Sequence, residues 1–493
     1  LILFCQFHDI LAGTCIPEAY WDVRNIYGES LNIAYEILNL ATQRISSKID
    51  TSIGKSLVVF NPTCVQTRFP VEVEPWPIGY SLIDEDEKPI PIQMIRPSST
   101  AGLKRALFIA DIPSLGYKAY KLVEGDKTPQ EFEGVLKASD GMMENDYFIV
   151  EFDMENGAIK KLYDKRLNVN IFNGYGASPI VLKDEGDTWG HGISKFKFEE
   201  GRFGNAELSI VESGPIRATL RVKTSYRNST IWQYFSLYRG LDFIEVKVRV
   251  DWREKNRMLK LSFPVNLEES TATYEIPYGV IVRPANGEEE PGQRWIDVSG
   301  RLHASNRDVN YGLTVINDSK YGFDVYGSEI RISVIRSPPY AQHDPHKVDP
   351  KFDDYPYIDQ GEQNFKYILL SHLNNCWTNN FNRIFELAEM LNTGLFYVFE
   401  EPHIGYMPNA LSMLEISPSE VAISTVKLAE DSDDVIVRLV EYTGKDHTVR
   451  LKSTVLGRDL NVHIKQFEIK TLRIPLDRGK PIVECDLVEN LLS

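Results

Sequence analysis

A histidine and an aspartate stand side by side near the start of the chain, in the segment LILFCQFHDILAGTCIPEAYWD. The imidazole of His8 could ligate a zinc ion, and the carboxylate of Asp9 could accept hydrogen bonds from hydroxyl groups. A zinc site takes about three protein ligands, and no second ligand lies at helical spacing from His8. On spacing alone, His8 is therefore interpreted as a structural histidine.

A second polar segment, DEGDTWGHGI at residues 184–193, crowds three carboxylates into four residues. Asp184, Glu185 and Asp187 could bind calcium or another metal, with His191 close behind, but the spacing of an EF-hand loop is absent. The glycines favour a surface turn over a metal loop.

A third segment, AQHDPHKVDPKFDD at residues 341–354, contains two histidines and several aspartates. His343, Asp344, His346 and Asp349 could chelate a divalent ion. The two prolines at 345 and 350 exclude a helix that would hold these side chains in place, so an exposed polar loop is favoured. The sequence contains no GxSxG, P-loop or HExxH motif.

Composition limits the class of protein. The 493 residues carry a net charge of -16 and no basic face, which argues against a nucleic-acid partner. No apolar run approaches the roughly 18 to 20 residues of a membrane span. The five cysteines are odd in number, far apart and never in a CxxC pair. They indicate reduced cysteines and predict a cytoplasmic protein without a disulfide framework.

The surrounding elements are predicted from hydrophobic periodicity. Apolar residues at spacings of three and four predict a helix over 17–49, with Leu1–Ile10 as the end of a preceding helix. The predicted apolar stripe of the longer helix consists of Tyr20, Val23, Tyr27, Leu31, Ala34, Leu38, Ala41 and Ile45. A shorter helix is predicted at 381–391, and alternation over Ile244–Val250 predicts an antiparallel sheet. The fold class is therefore mainly β, with a truncated helical-bundle stub followed by antiparallel β-sandwich domains. The predicted segments are the bundle end (1–54), a small β-sandwich (55–130), a large supersandwich (131–400) and a C-terminal β-segment (401–493).

The opening motif QFHDILAGTCIPEAY resembles a helix motif of glycoside hydrolase family 38, the zinc-dependent retaining α-mannosidases, in the bacterial and archaeal branch of the family. Further blocks resemble the family in the same order along nearly the whole chain. They are VVFNPT (58–63), DIPSLGYKAY (111–120), ENDYFIVEFDMENGAIKKLYDK (144–165), DEGDTWGHGI (184–193), ATYEIPYGVIVRP (272–284), YGLTVINDSKYGFDV (311–325), IRSPPY (335–340), DQGEQNFKYIL (359–369) and LAEDSDDVIVRLVE (428–441).

The resemblance implies a galactose-mutarotase-like supersandwich and a role in cleaving α-mannosides. It also implies that His8 is one ligand of a Zn²⁺ ion and that Asp9 contacts sugar hydroxyls. In the family, a His-x-Asp pair, the nucleophile and the acid/base lie in an N-terminal domain, and no His-x-Asp occurs here. We therefore expect this chain to be a C-terminal portion that needs that catalytic domain as its partner and is inactive alone.

A second hypothesis is a non-catalytic β-sandwich that binds carbohydrate or scaffolds an assembly. The apolar start of the chain favours the first hypothesis, because a free-standing module would not begin with an uncovered apolar helix end. Residues 1–49 are expected to associate with the missing domain or, failing that, with a second copy of the chain. The sequence leaves open whether the chain is a trimmed form, a proteolytic product or one half of a split gene.

Overall fold

The computed structural model describes residues 1–127, 129, 132–304, 307–340, 356–374 and 377–492. The chain is mainly β, and the strand pairs with a described register are antiparallel. This confirms the predicted fold class. The helices are α1 (His8–Leu11), α2 (Pro17–Ser46) and α3 (Phe381–Asn392), with 3₁₀ turns at Phe4–Gln6 and Trp377–Asn380.

The strands fall into three runs along the chain. The first run is β1 (Ser56–Asn61), β2 (Thr67–Val73), β3 (Tyr80–Ile83), β4 (Pro89–Ile90), β5 (Gln93–Ile95), β6 (Arg105–Ile112) and β7 (Gly116–Glu124). The second run is β8 (Leu136–Ser139), β9 (Met142–Asn145), β10 (Phe148–Phe152), β11 (Ile159–Asp164), β12 (Val169–Asn170), β13 (Ser178–Lys183), β14 (Glu199–Arg202), β15 (Gly204–Ser213), β16 (Arg217–Tyr226), β17 (Ser229–Tyr238), β18 (Ile244–Trp252), β19 (Arg257–Pro264), β20 (Glu269–Ile276), β21 (Gly279–Arg283), β22 (Glu290–Pro291), β23 (Trp295–Ala304), β24 (Arg307–Asn317), β25 (Gly322–Tyr326), β26 (Glu329–Arg336) and β27 (Gly361–Leu373). The third run is β28 (Phe396–Glu400), β29 (Ala410–Ser412), β30 (Glu415–Ser417), β31 (Val421–Leu428), β32 (Val435–Glu441), β33 (His447–Ser453), β34 (Arg458–Ile464), β35 (Ile469–Ile474) and β36 (Val483–Cys485).

The chain folds into two compact units. The first comprises residues 1–43, 134–272 and 283–375, and the second comprises residues 44–133, 273–282 and 376–493. Strand β28, which the sequence places in the segment 131–400, pairs with β1 inside the second unit. The finer four-segment division stays a prediction.

The first unit is built around a large antiparallel sheet in which seven strands follow the order β15-β16-β17-β18-β27-β24-β23. A six-stranded sheet, β14-β13-β19-β26-β25-β22, packs against it. Phe263 of β19 meets Tyr367 of β27 with ring centroids 5.6 Å apart, and both side chains are fully buried. Such edge-to-face pairs add about 0.5–1.5 kcal/mol beyond the area they bury, so the sandwich interior is well specified here.

The alternation predicted for this sheet is confirmed on β18. Ile244, Val246, Val248 and Val250 are buried, while Arg249 is exposed. The neighbouring hairpin turns sit at Arg227 (φ 51°) and Gly240 (φ 65°), where the chain needs left-handed backbone.

The second unit has its own core between two layers. Leu57 and Val59 of β1 pack with Val71 of β2 and Phe108 of β6 in one buried cluster. Helix α3 buries Phe381, Ile384, Phe385 and Ala388 on one face, which confirms the shorter helix predicted from the sequence.

The N-terminal helices differ from the prediction in two ways. Phe7 adopts extended backbone (φ -54°, ψ 139°) between the 3₁₀ turn and the one-turn helix α1, so the continuous helix end predicted for Leu1–Ile10 is wrong. Helix α2 ends at Ser46, and its buried positions include Val23, Ser30, Thr42 and Ser46. The predicted apolar stripe included Leu31, Ala34 and Ala41, which are exposed.

Candidate functional site

His8 opens helix α1 and extends into solvent. Its side chain is 79% exposed, and its ring lies 4.4 Å from that of Phe7, measured between centroids. The Nε2 atom lies 3.3 Å from Oδ2 of Asp9. The imidazole of His8 is thus exposed to solvent beside the Asp9 carboxylate.

Asp9 is oriented by the turn that follows α1. The hydroxyl of Thr14 donates to Asp9 Oδ1 at 2.8 Å, and the backbone N–H of Thr14 donates to the Asp9 carbonyl at 2.8 Å. Gly13 supplies the left-handed backbone (φ 70°) that brings Thr14 back over the helix end. The spacing HDxxxGT therefore has a structural consequence: it fixes the Asp9 carboxylate beside the His8 imidazole.

The donor chemistry of this pair fits zinc in part. A solvent-reachable imidazole is a suitable zinc ligand, and a neighbouring carboxylate can orient it or bind hydroxyls. Across the described ranges, no group of three His, Cys, Asp or Glu side chains could hold a metal ion. A zinc ion at His8 would therefore need further ligands that do not belong to the described part of this chain.

The segment 184–193 is held by an arginine that sequence spacing did not point to. Arg336 Nε lies 2.9 Å from Oδ2 of the buried Asp184, and its guanidinium donates to the Asp187 and Thr188 carbonyls at 2.6 and 3.1 Å. His191 Nδ1 lies 2.6 Å from Asp187 Oδ2. Burial raises the pKa of the Asp187 carboxyl, but the hydrogen bonds from His191 outweigh this and the net pKa lies below its ordinary value.

These contacts give partners to two of the three carboxylates, Asp184 and Asp187. Asp184 is neutralised by Arg336 and Asp187 is hydrogen-bonded to His191, so the segment is a pinned turn, as the glycines predict. The other histidine-rich segment, with His343, Asp344, His346 and Asp349, lies outside the residues that the structure describes.

A further group of polar side chains lies in the same unit as His8 and was not identified from sequence. Lys320 Nζ donates to Oε1 of Gln363 at 3.1 Å, and Asp359 precedes the strand β27 that contains Gln363. Tyr340 packs edge-on against Tyr20 of α2, with centroids 5.6 Å apart. These residues come from distant parts of the chain, so their spacing in the sequence does not reveal the cluster. Asp359 and Gln363 do lie within one family-like block, DQGEQNFKYIL (359–369).

The N-terminal segment also exposes several apolar side chains. Leu3 is 85% exposed and Phe4 is 73% exposed, and neighbouring apolar residues are exposed as well: Leu1, Ile2, Phe7, Leu11, Ile16 and Trp21. Exposed apolar clusters of this kind mark interaction surfaces. No helix among the described residues combines the length and apolar character that crossing a membrane requires.

Comparison with known proteins gives consistent matches. Residues 143–349 match the Glycosyl hydrolases family 38 C-terminal domain, and residues 420–492 match the Glycosyl hydrolases family 38 C-terminal beta sandwich domain. The chain is 25% identical to Alpha-mannosidase G of Dictyostelium discoideum, over 92% of this chain and 43% of that protein. It is 24% identical to Alpha-mannosidase 2C1 of Mus musculus, over 90% of this chain and 40% of that protein.

Two solved structures share the fold. An alpha-mannosidase from Enterococcus faecalis V583 superposes with a TM-score of 0.74 and 16% identity, covering 93% of this chain and 61% of that chain. A family 38 glycosyl hydrolase protein from Enterococcus faecalis gives a TM-score of 0.75 and 17% identity, covering 95% of this chain and 64% of that chain.

Fold and matches together define the β-domain portion of a glycosyl hydrolase. The chain belongs to glycosyl hydrolase family 38, whose C-terminal domains account for more than half of its residues. It spans 43% and 40% of the length of the two curated relatives named above.

Proposed function

We propose that this chain is the C-terminal part of a zinc-dependent retaining α-mannosidase. The observation that carries the proposal is the match to family 38 C-terminal domains, together with relatives that are α-mannosidases and extend well beyond the matched region. In this proposal the nucleophile and the acid/base lie in a preceding domain. This chain supplies the β-scaffold, one zinc ligand and one contact to the sugar.

His8 and Asp9 are the proposed contributors from this chain. The exposed His8 imidazole is available to a ligand approaching from outside the described residues, and Thr14 fixes the Asp9 carboxylate beside it. A bound zinc ion would supply Lewis-acid binding of sugar hydroxyls. Asp9 would accept hydrogen bonds from hydroxyls of the same sugar, and Thr14 would keep its carboxylate in place.

The proposal also assigns the partner. The exposed apolar side chains around Leu3 and Phe4 support a contact with the preceding catalytic domain, because burying them removes apolar surface from water. A cytoplasmic location and self-association in the absence of that domain stay predictions.

The test compares the complete gene product with the 493-residue chain. The complete protein should cleave an aryl α-mannoside with retention of anomeric configuration and should contain one zinc per polypeptide. A complete protein that binds mannosides without cleaving any would contradict the enzymatic proposal and favour a carbohydrate-binding module.

A further inference from the structure

The segment 183–198, which leads from β13 to β14, forms a cup on the first unit that plays no part in the proposed function. The cup encloses about 430 Å³, and all of its lining residues belong to this one segment. A cavity of that size falls within the range of small-molecule sites in proteins. The pinned turn at 184–193 therefore has room for a ligand beside it.

Hydrogen bonds fix the shape of the cup. The Lys183 N–H donates to the Phe198 carbonyl at 2.9 Å, which joins the two ends of the segment. The Glu289 N–H donates to the Ser194 carbonyl at 2.9 Å, so a second segment supports the far wall. Arg336 holds two carbonyls of the turn from below. Because the cup is held in place without a ligand, a ligand would not have to order it on binding.

The lining of the cup is positively charged, although the whole chain carries a net charge of -16. Three lysines and two carboxylates line it, which leaves one net positive charge when His191 is neutral. Both carboxylates already have partners. Lys183 Nζ lies 2.5 Å from Glu185 Oε1, and His191 Nδ1 lies 2.6 Å from Asp187 Oδ2. The charges of the other two lysines are therefore not offset within the cup.

These two lysines, Lys195 and Lys197, are available to an anion. Lys195 Nζ donates to the Asn286 carbonyl at 2.7 Å, which uses one of its three N–H groups and leaves its charge unmatched. Lys197 is exposed, and no carboxylate in the described part of the chain forms an ion pair with it. His191 also lines the cup, with its ring oriented by Asp187. The cup thus offers two ammonium groups beside an oriented imidazole.

We propose that the cup at 183–198 binds a sugar-sized ligand that carries a carboxylate or a phosphate. Lys195 and Lys197 would pair with the anion through charge-assisted hydrogen bonds. Phe196 and Phe198 also line the cup and would cover an apolar face of the ligand. A metal ion does not fit, because the lining is positive and its two carboxylates are engaged. The proposal goes beyond the proposed function and depends neither on zinc nor on cleavage of a mannoside.

The test measures binding of four probes to the 493-residue chain by titration calorimetry. The probes are mannose 6-phosphate, mannuronate, mannose and inorganic phosphate, and mannose is the sugar because the matched relatives are α-mannosidases. Lys195→Met, Lys197→Met and the double variant are compared with the wild type. Circular dichroism verifies that each variant is folded, and the exposed position of Lys197 keeps the test decisive if Lys195→Met does not fold.

Two control variants separate the charge in the cup from the charge of the surface. Lys197→Arg keeps the cation in place. Lys366→Met removes an exposed lysine from β27 of the same unit. Both should bind the probes as the wild type does.

We expect the wild type to bind at least one of the two anionic sugars about tenfold more tightly than mannose or inorganic phosphate. The anionic sugar that binds more tightly identifies the source of the negative charge. Each single methionine variant should weaken this binding about three- to tenfold, and the double variant about ten- to a hundredfold.

Three results would overturn the proposal. They are equal affinity for mannose and its anionic derivatives, wild-type affinity in the folded double variant, and a wild-type chain that binds neither anionic sugar. Inorganic phosphate that binds as tightly as mannose 6-phosphate would also overturn it, because the sugar ring would then contribute nothing. Absence of α-mannoside cleavage by the complete protein would instead contradict the proposed function and leave this site standing.

Discussion

At the scale of single residues, Thr14 connects the local fold to the proposed chemistry. Its hydroxyl and its N–H both bind Asp9, so the carboxylate is oriented before any ligand arrives. The side chain of His8, by contrast, is exposed, with its ring tilted by 39° against the ring of Phe7 and its Nε2 atom 3.3 Å from Asp9. The two residues should therefore be separable by mutation.

In the complete protein, His8→Ala should lower zinc affinity by more than a hundredfold and abolish most activity. A residue that binds the metal directly contributes more to metal affinity than a residue that only hydrogen-bonds to such a ligand. Asp9→Asn should retain zinc and lower kcat/KM by about ten- to a hundredfold, because it weakens a charged acceptor of sugar hydroxyls. Metal analysis and steady-state kinetics on both variants check this. Full zinc content in His8→Ala would return His8 to a structural role.

Replacing Asp359 is predicted to stabilise the folded chain. Its carboxyl pKa is raised in the folded chain, so folding favours the protonated form and the charged form opposes folding. Asp359→Asn should therefore raise the melting temperature at pH 7. The gain should be absent near pH 3, below the ordinary carboxyl pKa of 3.8, and grow as the pH rises through the folded-state value. Thermal melts across this pH range test it, and a lower melting temperature at pH 7 would assign Asp359 a structural role.

At the scale of elements, the pinned turn at 184–193 shows how one side chain from a distant strand decides a loop. Arg336 of β26 neutralises the buried Asp184 and holds two carbonyls of the turn. Without it, the buried Asp184 carboxylate would lose its cationic partner and keep only the hydrogen bond from the Gly186 N–H.

Arg336→Ala should therefore destabilise the chain by about 3 kcal/mol or more in urea unfolding. Lys183→Ala removes an adjacent cation whose ion pair with Glu185 is exposed on both sides, and it should cost at most about 1 kcal/mol. Equal stability losses in the two variants would show that the Arg336 contacts do not hold the turn.

The buried face of a strand or helix can be predicted from its sequence in some elements and not in others. Alternation on β18 and the apolar face of α3 follow from the residues themselves, because each element buries one face on its own unit. Helix α2 does not follow this rule, since Leu31, Ala34 and Ala41 are exposed and Ser30 and Thr42 are buried. Periodicity predicts that a helix forms but cannot identify which face is covered when several faces are apolar.

The polar sites also differ in how far the sequence alone reveals them. The His8–Asp9 pair is adjacent in sequence, so its proximity is visible without a structure. Lys320 and Gln363 meet only because β24 and β27 are neighbours in the large sheet, and Arg336 reaches Asp184 across the six-stranded sheet. Long-range pairing of this kind leaves no periodic trace in the sequence.

At the scale of the whole molecule, the exposed apolar segment at the N-terminus predicts association. Burying side chains such as Leu3 and Phe4 is worth about 1.5–3 kcal/mol each, which is enough to drive self-association at high concentration. Leu3→Glu combined with Phe4→Glu should shift the isolated chain towards monomer in sedimentation velocity. Ile404→Glu, which alters an 88% exposed apolar residue elsewhere, should leave the distribution unchanged. A wild-type chain that is monomeric at all concentrations would contradict this prediction.

The proposed function places this chain within a larger α-mannosidase whose reacting carboxylates lie in a preceding domain. The most direct measurement is hydrolysis of an aryl α-mannoside by the purified 493-residue chain, before and after addition of the separately produced preceding domain. The chain alone should show no turnover, and zinc-dependent turnover should appear once the preceding domain is present. Turnover by the chain alone, in a preparation free of contaminating enzyme, would contradict the account and direct the search for nucleophile and acid/base to carboxylates within the β-domains.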